Sequence, residues 1–184
     1  VLEVPTGATI TYARLYWSST FTTSTSDGAV VLGRPGGPAY PVTADATFPV
    51  RQVAAGFYDY QASADVTPAV QSLGRGAYRV SDVGGMSVTN VNSYYPYSAW
   101  ALVVFYELAT EPLRNLALFD GFDAVSPGEP AAASLSGFLV PNGGYRAKLG
   151  VAKNNLGSSL LFRPPANQSI SGRLQRKGMH KFEE

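Results

Sequence analysis

The residues that could do chemistry in this 184-residue chain are few and scattered. Asp120-Gly121-Phe122-Asp123 places two carboxylates in one short segment. Such a pair can contribute to a Ca²⁺ site, which collects six to eight oxygens. Asp-Gly is equally the chemistry of a hairpin turn, where Asp tolerates and Gly supplies the left-handed conformation. With no third carboxylate within a few residues, the turn is the preferred reading and calcium through Asp120 and Asp123 the alternative. Glu107, Glu111 and Asp120 form a second acidic set. A retaining glycosidase would need two carboxyls ~5 Å apart in an open cleft, and solvated strand ends are the simpler account of these residues.

A third candidate is aromatic. Tyr94, Tyr95 and Tyr97, in the polar stretch Asn92–Ser98, present flat rings that carry a hydroxyl. That combination suits a protein interface or stacking on a sugar ring. Trp17 is a further member of such a stacking platform. The competing reading is an ordered loop whose rings cover one end of the fold.

What is absent narrows the chemistry. The chain has no cysteine, which excludes thiol nucleophiles, thiolate metal sites and disulfides. Its single histidine, His180, lies close to the C-terminal end and is poorly placed to be the base of a triad. The glycine-rich segments Gly33–Gly37, Gly84-Gly85 and Gly143-Gly144 lack the lysine and the strand-to-helix context of a phosphate loop, so they read as turns. Lys148 and Lys153 are the lysines available for an isopeptide crosslink, and Lys148 alternates with Leu149 onto an outer face, which argues against one.

Composition points the same way. Charged residues make up 15% of the chain, against roughly 25% in an average domain, and Ser, Thr, Tyr and Gly supply the polarity instead. This suits an extracellular or cell-surface β protein. A net charge of +1 gives no field for nucleic acid. No apolar run approaches the ~20 residues of a membrane span, and none reads as a signal peptide. The chain begins at Val1 without Met, which reads as a mature or excised piece of a longer precursor.

The elements that must position these residues are mostly strands. Ala8–Trp17 alternates so that Ile10, Tyr12, Arg14 and Tyr16 share one face and Ala13, Leu15 and Trp17 the other. Arg14 is then either paired at the sheet edge or reaches outward. A Ser/Thr loop over 18–26 and an Asp27-Gly28 turn lead to a return strand, Ala29–Leu32. Two short strands are predicted between Tyr40 and Tyr60, the second at Gly56–Tyr60.

One short helix follows. Thr67 is its cap, Pro68 its first position and Gly74 its stop, with Val66, Val70 and Leu73 on one face. Gly76–Val80 and Met86–Val91 read as strands. The eight apolar residues Ala99–Tyr106 predict a strand buried on both faces at the centre of a sheet. Leu116–Phe119, Ser136–Val140, Ala147–Ala152 and Ser159–Phe162 supply further strands. The expected fold is all-β, an antiparallel β-sandwich of jelly-roll or immunoglobulin-like type with one short helix. Residues 1–163 form the sandwich domain and 164–184 a basic C-terminal tail or connector, in which Arg173, Arg176 and Lys177 are available to a partner.

The order of segments carries a resemblance. Pro5 to Trp17, Tyr60 to Gln71, Ser98 to Glu107, Pro112 to Phe122 and Ser134 to Pro141, ahead of Ala147–Val151, resemble an N-terminal domain of large secreted or surface-attached bacterial proteins of the adhesin-like, conserved-repeat kind. Relatives in that family carry cysteines in the Tyr-rich region, and this chain has none. The resemblance implies an extracellular β-sandwich module of a structural or adhesive protein without catalytic activity. Its partners would be further copies of itself or other surface proteins. A carbohydrate-binding module that uses the Tyr-rich loop to hold glycans is the alternative.

Overall fold

The computed structural model describes residues 1–87, 97–112, 114–122 and 136, together with the strand backbones Ser159–Leu161 and Arg173–Gln175. The chain divides into two compact units, Val1–Pro112 and Leu113–Glu184. The first is built on β1 (Thr9–Phe21), β2 (Ala29–Gly33), β3 (Ala39–Thr43), β4 (Ala46–Thr47), β5 (Arg51–Ala54), β6 (Phe57–Asp65), α1 (Thr67–Leu73), β7 (Arg79–Ser81) and β8 (Ser98–Glu107). In the second, β9 (Ser159–Leu161) pairs antiparallel with β10 (Arg173–Gln175). These two strands lie on either side of the 163/164 boundary suggested by composition.

The fold is all-β and antiparallel with a single short helix among the described residues. One sheet has the order β4-β6-β1-β8, with β5 also paired to β6. The other has the order β3-β2-β7. The two sheets share one apolar core, a sandwich-like arrangement. Ala13, Leu15 and Trp17 from β1 and Tyr60, Ala62 and Ala64 from β6 meet Val30 and Leu32 from β2 and Val42 from β3, with Val66 and Val70 closing one end. β1 is the best-buried strand because it has a neighbour on both edges and the core on one face.

Several local features depart from the expected pattern. Ile10 joins Ala13, Leu15 and Trp17 in the core instead of facing away with Tyr12. The cause is a register shift between Ile10 and Tyr12 opposite β8, where the extra residue Thr11 turns the alternation over by one step. Ser18, Ser19 and Thr20 belong to β1 and are buried, where a loop was expected. The hydroxyls of Ser19 and Thr20 are accommodated by cross-strand partners. Ser19 Oγ donates to the Tyr97 carbonyl at 2.6 Å and Thr20 Oγ1 donates to Asp59 Oδ1 at 2.7 Å.

The helix starts as expected, with Pro68 in its first turn, but Thr67 does not cap it. Thr67 Oγ1 accepts from the Ala13 amide at 2.9 Å, and Asp65 Oδ1 accepts the Thr67 amide at 2.8 Å, so the threonine ties the helix to β1. Gly74 ends the helix at φ 66°, a conformation that costs glycine nothing. Past the helix, Arg34 reaches across from the turn after β2 and donates to the carbonyls of Leu73, Gly74, Arg75 and Ala77 while lying 4.5 Å over the Tyr78 ring. A planar donor fork suits a cluster of carbonyls at the negative end of a helix.

The sequence predicts β8 at the centre of a sheet and buried on both faces; among the described residues β1 is its neighbour, and its burial is lower than expected. No residue of β8 is fully buried. Residues 114–122, where a strand was expected over Leu116–Phe119, have no regular secondary structure, and Leu116 and Phe119 are exposed. The expected strands at Ser136–Val140 and Ala147–Ala152, and most of Met86–Val91, lie outside the described residues.

Candidate functional site

Among the described residues, β8 has a strand partner on one edge only. The Thr20 amide donates to the Tyr97 carbonyl at 3.2 Å, which sets the phase of the β1–β8 ladder. Antiparallel strands alternate between residues bonded to the neighbour and residues whose backbone groups point away. Ala99, Ala101, Val103 and Phe105 therefore bond to β1, and the amides and carbonyls of Trp100, Leu102 and Val104 point away from it. Side chains alternate as well. Trp100, Leu102, Val104 and Tyr106 share the core-side face, on which Leu102 and Val104 pack against the core while Trp100 stays 41% exposed and Tyr106 39% exposed. On the opposite face Phe105 lies 5.8 Å from Tyr12.

From Ser98 to Tyr106 this edge carries no charge and no proline. Sheet edges exposed to water are ordinarily blunted by lysines, prolines or bulges. Among the described residues, the irregularity of the β1–β8 ladder lies in β1.

The opposite face of the same sheet also carries a polar cluster. Arg14, nearly buried, pairs with Asp45 through an Nη2–Oδ1 contact of 2.6 Å and donates to Ser63 Oγ at 2.9 Å. Asp45 Oδ2 also accepts the Asp65 amide at 2.8 Å. Burial alone would raise the Asp45 carboxyl, but the Asp65 amide and the Arg14 guanidinium outweigh it and hold the group below the usual carboxylate range. Further along the sheet, burial pushes the Asp59 carboxyl up against the opposing hydrogen bonds from Thr20 and Tyr97. Burial likewise pushes the Tyr97 phenol up to about 12, with Asp59 adding to the effect. Each of these polar groups is committed to another within the sheet.

The predicted site residues fall as follows. Trp17 is fully buried in the core, where its Nε1 donates to the Asp27 carbonyl at 3.0 Å, so it has no face to offer a sugar. The alternation that put it opposite Tyr16 also put it inside. Tyr97 is half-buried and joined to Ser19, Thr20 and Asp59. Tyr94 and Tyr95 lie outside the described residues, as do Asp123, Arg176 and Lys177. Asp120 is exposed, and among the described residues no three His, Asp or Glu side chains converge on a common point. Glu107 and Glu111 are exposed at and beyond the end of β8. Arg173 opens β10.

An open groove of about 510 Å³ runs between residues 4–10 and the end of α1. Within it Gln71 donates to the Ile10 carbonyl and Arg75 to Thr6 Oγ1. Among the described residues no helix is long and apolar enough to cross a membrane.

The chain matches no protein-family model, no curated protein and no solved structure.

Proposed function

We propose that this chain is a non-enzymatic, extracellular β-sandwich module that works by protein association, as part of a surface adhesin or as a subunit of a surface assembly. The observation that supports this reading most strongly is β8, a strand that among the described residues is paired on one side only, carries no charge from Ser98 to Tyr106 and leaves apolar side chains partly exposed. Such an edge is a template for a further strand, with main-chain hydrogen bonds giving affinity and alternate side chains giving specificity. The low charge content and hydroxyl-rich surface agree with work outside the cell. The resemblance of the segment order to adhesin-like bacterial surface proteins points the same way.

Size-exclusion chromatography with light scattering, on the full chain over a concentration series, tests the proposal. The expected result is a mass that rises above 19.5 kDa with concentration. A strictly monomeric protein at high concentration, showing no binding to other surface proteins, refutes it.

A further inference from the structure

We draw no further inference here: the strongest candidate, the partly exposed apolar face of β8 around Trp100 and Tyr106, carries nothing because nothing in the structure shows what covers it.

Discussion

Arg14 places a guanidinium on the inner part of a sheet, and the stability it confers depends on Asp45. The informative perturbation is Asp45→Asn, which keeps the shape and removes the charge. Arg14 is nearly buried, and its side chain is 11% exposed against 47% for Asp45. Breaking a fully buried pair costs roughly 3–5 kcal/mol, and an exposed pair contributes at most about 1 kcal/mol. With one partner buried and the other half in water, the expected cost is about 1–2 kcal/mol, or a fall in Tm of roughly 5–10 °C for a unit of this size. Arg14→Met removes the other partner and leaves the buried Ser63 hydroxyl without its donor. Combining the two changes is expected to cost less than the sum of the single changes, by about 1 kcal/mol. The assay is thermal and urea unfolding of all four proteins. The acid arm adds an independent check. Asp45 is held below its unfolded value, so its stabilisation is present above that value, near ~3.9, and is lost as pH falls through the lower folded value. Asp45→Asn is expected to flatten that loss. A coupling near zero, or an unchanged acid arm, refutes the reasoning.

Asp59 is expected to show the opposite slope. Burial raises its folded value, so its contribution is largest below the unfolded value and declines as pH rises through the folded one. Asp59→Asn, which retains an acceptor for Thr20, is expected to gain on the natural chain as pH rises from 4 towards 7, measured as the difference in Tm. Gly85→Ala drives a Cβ into Ser19 Oγ, a hydroxyl already fixed by Tyr97 and Ser98, and is expected to cost about 1–3 kcal/mol in urea unfolding. Gly28→Ala has nothing within 4 Å of the added carbon and is expected to be near neutral. Arg34→Lys replaces a fork serving four carbonyls with a point charge, and a loss of about 2 kcal/mol is expected in the same assay.

The sequence made much of the frame legible. The alternation of Ala13, Leu15 and Trp17 marked a core face, Pro68 and Gly74 marked the ends of the helix, and the turn at Gly33–Pro38 falls between β2 and β3. Local pattern could not reveal the Thr11 bulge, because one extra residue leaves composition unchanged and shows only when a partner strand is laid alongside. Ser18–Thr20 looked like loop because hydroxyl side chains are common there; their burial depends on Asp59, Tyr97 and Ser98, which are distant in sequence. The same holds for Arg34, whose carbonyl partners lie about forty residues away. The run Ala99–Tyr106 identified a strand and predicted a central one, but its burial is set by what packs against it, which the run itself does not contain. An uninterrupted apolar strand is what a central position requires, and it is equally what an edge that acquires its second neighbour from another chain requires.

Residue-resolved amide hydrogen exchange of the full chain, at dilute and at high protein concentration, tests the role of this edge most directly. Ala101 and Val103, bonded to β1, are expected to exchange slowly at both concentrations. Trp100, Leu102 and Val104 are expected to exchange rapidly when dilute and to become protected as concentration rises. Equal exchange of these three amides at both concentrations would contradict association through β8.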